Sequence, residues 1–220
     1  MVNIDMNIKK AQILTEALPF IKKFSNKTVV IKYGGSALVN PEIKDTIIKD
    51  IVLMKLVGMK PVIVHGGGPD ISSMLKKLNI ESKFVNGLRV TNAETMEVAE
   101  MVLAGKVNKQ IVTDIELHGV KAVGISGKDG DTVRAKKIEK DGVDYGYVGT
   151  VESVDPILVK TLIDNDIIPV IAPIGKDATG QSYNINADYM AVAIAGSLEA
   201  EKLVFLSDIE GVYKDKDDPD

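Results

Sequence analysis

The chain has 220 residues, a formal net charge of −4, 45% hydrophobic and 26% charged residues, and neither cysteine nor tryptophan. This is the profile of a globular protein with one large core or two small ones, and its mild acidity argues against a general nucleic-acid or membrane-surface binder. Lack of cysteine excludes a disulfide framework, a thiolate metal site and a cysteine nucleophile, and with His65 and His118 as the two histidines a His-based zinc site or a Ser-His-Asp triad is not expected.

Residues 1–25 read as a separate amphipathic helix, with Ile13/Leu14, Ala17/Leu18, Ile21 and Phe24 at helical spacing and a kink expected at Pro19. Charges throughout this segment are unlike a signal peptide, and no apolar run nears the roughly 18 residues of a membrane span, so a cytoplasmic protein is expected. Thr28–Tyr33 is an apolar strand broken only by Lys32, followed by Gly34, Gly35 and Ser36. Asn40 and Pro41 mark a capped helix start, and that helix runs to about Leu56, ended by Gly58. Pro61–His65 is the next strand, and Gly66-Gly67-Gly68-Pro69 opens a helix to about Leu78. Thr91-x-x-Glu94 has the form of a capping box before a helical region from Asn92 to about Leu117, and Val120–Ile125 is a strand. Thr132–Val154, rich in Gly, Tyr and Val, reads as an excursion of antiparallel strands. Asp155-Pro156 starts a helix ending near Asn165; Ile167–Ala172 is a strand, Asn186 to about Ser197 a helix, and Lys202–Leu206 a strand. Buried-type strands alternating with helices predict an α/β fold: an open, mainly parallel sheet sandwiched by helices.

Such sheets bind ligands at the carboxyl ends of their strands. Three glycine-bearing loops fall there, after Lys32, after His65 and at Ser207–Gly211. Glycine lets backbone N–H groups approach an anion, and a following helix N-terminus adds its positive dipole end. No Walker sequence is present, and Ile71 stands where the dinucleotide fingerprint needs glycine. Gly127–Asp131 reads as an ordinary turn. Lys32 inside an apolar strand calls for an anionic partner, the alternative being a lysine that snorkels at the strand edge; His65 reads as a satisfied structural histidine. Around the start of the last helix, Asn186 is the candidate N-cap, Asn184 is placed to reach a ligand, and Asp188 suits the helix dipole. Arg89, in the stretch Asn86–Thr91 just before a helix, can clamp a carboxylate, or be a solvated loop arginine. These features describe an α/β protein binding a small anionic, phosphorylated or carboxylated ligand.

The segments VVIKYGGSA (Val29–Ala37), VIVHGGGP (Val62–Pro69), NGLRVT (Asn86–Thr91), YNINAD (Tyr183–Asp188) and LSDIEGVY (Leu206–Tyr213) together resemble the amino-acid kinase family, and within it the acetylglutamate kinases. The first and last are shared across the wider family; HGGGP with NGLRVT and YNINAD is more specific. The resemblance implies transfer of the ATP γ-phosphoryl group to the side-chain carboxylate of N-acetyl-L-glutamate, giving N-acetylglutamyl 5-phosphate in arginine biosynthesis. It implies Lys32 as the catalytic lysine and Asp188 as its orienting carboxylate. The substrate falls to Gly66, Gly67, Gly68, Arg89, Asn184 and Asn186. The nucleotide falls to Gly34, Gly35, Ser36, Ser207, Asp208, Gly211 and Tyr213, with Mg²⁺ entering on ATP and held mainly by phosphates and water.

The resemblance further implies an N-terminal oligomerisation helix (1–25), an acetylglutamate-binding and dimerisation domain (26–198) and the beginning of an ATP-binding domain (199–220). A later glycine-rich segment carrying a second lysine lies beyond Asp220 in the family pattern, so the nucleotide domain is expected to be truncated and ATP binding weak. The N-terminal helix resembles that of arginine-inhibited members, which implies a homohexamer built as a trimer of dimers, with arginine as feedback inhibitor; a helix packed on its own subunit is the alternative. Other family activities, on acetylaminoadipate, glutamate or uridylate, remain alternatives, as does a non-catalytic ligand-binding or assembly domain.

Overall fold

The computed structural model describes residues 4–34, 40–139 and 142–206. Gly35, Ser36, Ser207, Asp208, Gly211 and Tyr213 lie outside the described residues. In chain order the elements are α1 (Ile4–Phe24), β1 (Thr28–Tyr33), α2 (Pro41–Leu56), β2 (Lys60–His65), α3 (Gly68–Lys77), β3 (Lys83–Val85), β4 (Leu88–Val90) and α4 (Ala93–Glu100). A π-helical segment (Met101–Val107) leads into α5 (Asn108–Glu116), β5 (Ala122–Ser126), β6 (Val133–Lys137), β7 (Val148–Val154) and α6 (Ile157–Asp164). β8 (Ile168–Ala172), β9 (Ile174–Lys176), β10 (Ser182–Ile185), α7 (Ala187–Ser197) and β11 (Lys202–Phe205) complete the fold. Gly127–Asp131 forms the expected turn, with a 3₁₀ stretch at Asp129–Asp131.

The main sheet is parallel, in the order β11-β1-β2-β8-β5. Period-2 alternation sends its side chains to two cores. Val29, Ile31 and Ile63 pack with α2, α3 and the α4–α5 region, whereas Val30, Val62 and Val64 pack with α6 and α7. The same alternation puts Lys32 on the α7 face and His65 on the α5 face. The antiparallel excursion is present as β6 against β7, but β9 and β10 join it in a closed four-stranded barrel that the sequence reading did not anticipate. Among the described residues no helix is long and apolar enough to cross a membrane.

Two local readings need correction. The cap of α4 is Asn92, whose side-chain oxygen accepts from the Thr95 amide at 2.8 Å. Thr91 is still in extended pairing there, its amide donating to Tyr145 and its carbonyl accepting from Tyr147, so its hydroxyl donates back to the Arg89 carbonyl instead. Arg89 is on a strand, not in a loop: Asn86 and Gly87, at φ 49° and 77°, form the tight turn of a β3–β4 hairpin, a conformation that Asn-Gly adopts readily. At the N-terminus, α1 continues through Pro19, and Ile13, Leu14 and Leu18 on it are exposed.

Candidate active site

The carboxyl ends of β2 and β10 and the start of α7 meet at one open cleft of about 190 Å³, lined by Gly66–Gly68, Phe84, Arg89, Asn184, Asn186 and neighbours. It is smaller than the roughly 300–1,000 Å³ of pockets for drug-sized ligands, a size for a small metabolite. β2 delivers the glycine triplet and α3 begins at Gly68, with no side chain capping its first turn. The amides at that helix start are therefore available to an anion, with the helix dipole behind them.

Arg89 reaches the cleft from the hairpin. It is only 7% exposed, stacks over the Phe84 ring at 4.6 Å, and donates to the Gly68 carbonyl at 2.9 Å, to Ser72 Oγ at 2.8 Å and to Ser82 Oγ. Each of those acceptors is neutral. Among the described residues no carboxylate pairs with this guanidinium, and burial pushes its pKa below the ordinary arginine value. A buried cation held only by neutral oxygens favours an incoming anion, and three of its about five donors are used to fix the fork.

Lys32 and Asp188 form the other pole. The Lys32 ammonium lies 3.1 Å from Asp188 Oδ1, the lysine side chain 18% exposed and the aspartate 50%. Strand alternation aims Lys32 at α7, and Asn186 starts that helix by accepting from the amides of Asp188 and Tyr189. The cap thus places Asp188 in the first turn, facing the lysine. A Cβ at Gly34 would sit 3.1 Å from Lys32 Nζ, so the glycine leaves room for the ammonium. The two loops also touch directly, the Gly66 amide donating to the Tyr33 carbonyl at 2.8 Å.

Residues 27–220 match the amino acid kinase family. An acetylglutamate kinase from Moorella thermoacetica is 56% identical over 96% of this chain and 74% of its own length. One from Caldanaerobacter subterraneus subsp. tengcongensis is 58% identical over 96% of this chain and 70% of its own length. The chain belongs to the acetylglutamate kinases of the amino acid kinase family. In fold it is similar to an N-acetylglutamate synthase from Neisseria gonorrhoeae, solved with coenzyme A and N-acetyl-glutamate, at a TM-score of 0.79 and 26% identity over 90% of this chain and 46% of that one. The chain is therefore a kinase, a phosphotransferase built on the amino acid kinase fold, and none of these relatives favours the alternative activities.

Within that family frame, the structure brings Gly66–Gly68, Arg89, Asn184 and Asn186 together around one cleft and Lys32 with Asp188 beside it. Asn184 is on β10, its amide nitrogen 3.5 Å from Thr91 Oγ1. Asn186 lines the cleft, but its side-chain oxygen is committed to the α7 cap. Four residues the sequence reading did not single out belong to the surroundings: Phe84, on which Arg89 stacks, Ser72 and Ser82, which hold Arg89, and Asn108, which contacts His65 at 3.1 Å. Asn108 had a legible signal. It shares the buried stripe of α5 with Ile111 and Ile115, a core position at which a polar residue needs a partner. Nothing in the sequence marks the two serines.

His65 is fully buried, and burial pushes its pKa down to about 4, with a smaller push from the Lys109 charge opposed by the Gly66 carbonyl. Between pH 6.5 and 4 the unfolded chain binds a proton at this residue that the folded chain does not. Stability therefore falls as pH drops through that window, by up to about 1.4 kcal/mol per unit, or roughly 2 kcal/mol between pH 7 and 5. Urea denaturation at those two pH values checks this: the loss should shrink by most of that amount in His65→Gln, and an equal loss in both chains would contradict it.

Proposed function

We propose that the cleft binds N-acetyl-L-glutamate and that the chain's reaction passes the ATP γ-phosphoryl group to its side-chain carboxylate. The observation that carries this reading is the buried Arg89 fork, paired only with neutral oxygens beside the glycine triplet. The Neisseria gonorrhoeae relative, solved with N-acetyl-glutamate, supports the choice of ligand. Arg89 grips the α-carboxylate, and Asn184 and Asn186 border the rest of the ligand. The side-chain carboxylate attacks the γ-phosphorus, one P–O bond forms as the bond to the β-phosphate oxygen breaks, and ADP leaves. An ionised carboxylate is already a nucleophile and no proton is transferred, so the protein's task is positioning and charge neutralisation. Lys32 neutralises charge on the transferring group, Asp188 orients Lys32, and the amides of Gly34, Gly67 and Gly68 cradle oxygens, whereas the Gly66 amide is committed to the Tyr33 carbonyl. Gly35, Ser36, Ser207, Asp208, Gly211 and Tyr213 are assigned to the nucleotide side by resemblance alone.

Among the described residues no three acidic or histidine side chains cluster to hold a metal. In this reading Mg²⁺ enters on the nucleotide, held mainly by phosphates and water, where it would supply charge neutralisation. A cytoplasmic location, the domain division at 1–25, 26–198 and 199–220, and arginine inhibition belong to the same proposal. So does a hexameric assembly, supported by the exposed apolar residues of α1, which nothing within the described chain covers. Light scattering at micromolar concentration should give a hexamer mass that falls when residues 1–25 are removed; a dimer mass for the whole chain would end the hexamer claim. The reaction is tested by ADP release that requires both ATP and N-acetylglutamate. Release without dependence on N-acetylglutamate would overturn the assignment of substrate.

A further inference from the structure

His65 and Asn108 are both wholly buried polar residues with no part in the transfer chemistry above. β2 ends on His65, facing the helix that Asn108 opens. The Asn108 amide nitrogen donates to the Val170 carbonyl at 2.9 Å and lies 3.3 Å from the Ile125 carbonyl, both of which only accept. Lys109 Nζ donates to the oxygen of the same amide at 3.0 Å. These contacts fix the orientation of the amide, because flipping it would set its oxygen against two carbonyls and its NH₂ against an ammonium. The same nitrogen is 3.1 Å from His65 Nε2, so Nε2 must accept. A neutral imidazole accepting at Nε2 carries its proton on Nδ1, and Nδ1 lies 2.7 Å from the Gly66 carbonyl oxygen. Gly66 is thus held at both ends, its amide by Tyr33 and its carbonyl by His65. Across a trans peptide the Gly67 N–H points opposite to that carbonyl, away from the buried imidazole.

The surroundings are shaped for this arrangement. A Cβ at Gly124 would fall 1.8 Å from Asn108 Oδ1, and a Cβ at Gly67 would fall 2.6 Å from Leu103 of the π-helical segment. Glycine at both positions permits the close approach. The wider π turn immediately precedes Asn108, and such turns occur often beside functional sites.

We propose that Asn108 and His65 are positioning residues for substrate recognition: Asn108 holds His65 in its Nδ1–H tautomer, His65 holds the Gly66 carbonyl, and the Gly67 amide is thereby aimed at the anionic ligand. This rests on the reading of the cleft as the N-acetylglutamate site. Nitrogen-15 NMR of the 220-residue chain should show His65 protonated at Nδ1 and bare at Nε2, and titration with N-acetylglutamate should shift the Gly67 amide. In Asn108→Asp the carboxylate accepts from Nε2, the tautomer reverses, and calorimetry should give an N-acetylglutamate Kd raised at least tenfold. Ile115→Val, buried on the same helix, should lower stability yet keep the Kd within twofold. A proton on Nε2 in the unsubstituted chain, an unmoved Gly67 amide on binding, or an Asn108→Asp Kd within twofold would each overturn the proposal. If the unsubstituted chain binds no N-acetylglutamate, the reading of the cleft fails and the positioning role fails with it. Binding accompanied by the wrong tautomer defeats the lock alone. The NMR measurements on the unsubstituted chain decide the matter even if Asn108→Asp does not fold.

Discussion

Arg89→Ala is expected to raise the KM for N-acetylglutamate roughly 100-fold or more, equivalent to about 3 kcal/mol of lost binding, with a smaller change in kcat. The size follows from burial. A rim arginine would be screened by water and contribute little, but this guanidinium is 7% exposed, backed by the Phe84 ring and bound to Ser72, Ser82 and Gly68. Its geometry is set before the ligand arrives, so little side-chain entropy is lost on binding. Arg89→Lys should recover only part of the loss, since an ammonium cannot reproduce a planar fork held by several acceptors at once. Steady-state kinetics with N-acetylglutamate as the varied substrate checks both, and an unchanged KM in the alanine variant would remove the carboxylate clamp.

Lys32→Ala should act on the other parameter. Loss of a cation aimed at charge developing in the transition state is expected to lower kcat by roughly 100- to 1,000-fold, with the N-acetylglutamate KM changed much less. Lys32→Arg should not rescue turnover. The ammonium lies 3.1 Å from Asp188 Oδ1, and a planar guanidinium on a longer side chain cannot set its charge at the place of that compact point charge. ADP release measured under saturating ATP decides the point, and unaltered turnover in Lys32→Ala would refute the role given to that residue. The contrast between the two variants, one in KM and one in kcat, separates ligand capture from chemistry within a single cleft.

The sequence was legible where local signals and tertiary context agree. Asn40-Pro41 does cap α2, with the Asn40 side chain accepting from Glu42 and Ile43, and the apolar runs at 28–33, 61–65 and 167–172 are sheet strands. Lys32 stood out because a charge inside such a run needs a partner, and Asp188 supplies one. The hairpin holding Arg89 was harder to see, because β3 and β4 are three residues each, too short for alternation to register; its Asn-Gly turn was the usable clue. Thr91-x-x-Glu94 misled because a local capping pattern cannot show that Thr91 is already paired with residues 145–147. The closed barrel was invisible for the same reason: β9 and β10 are short, and although they pair with each other locally, closure depends on long-range pairing with β6 and β7. Ser72 and Ser82 became part of the site only through the path of the arginine side chain.

The pairing of β1 bears on how the protein comes to be made. Lys32 sits in register with Val64 of β2 on one side and with Phe205 of β11 on the other. The first partner is close in sequence, but the second is among the last described residues to be synthesised. Until β11 arrives, β1 remains an edge strand with unpaired backbone groups, and the strand that presents the lysine lacks one of its two supports. Contacts of such wide separation form slowly, because the loop must close before they stabilise anything. During refolding, recovery of the Lys32–Asp188 geometry should therefore track completion of the whole sheet, not the early appearance of helical signal.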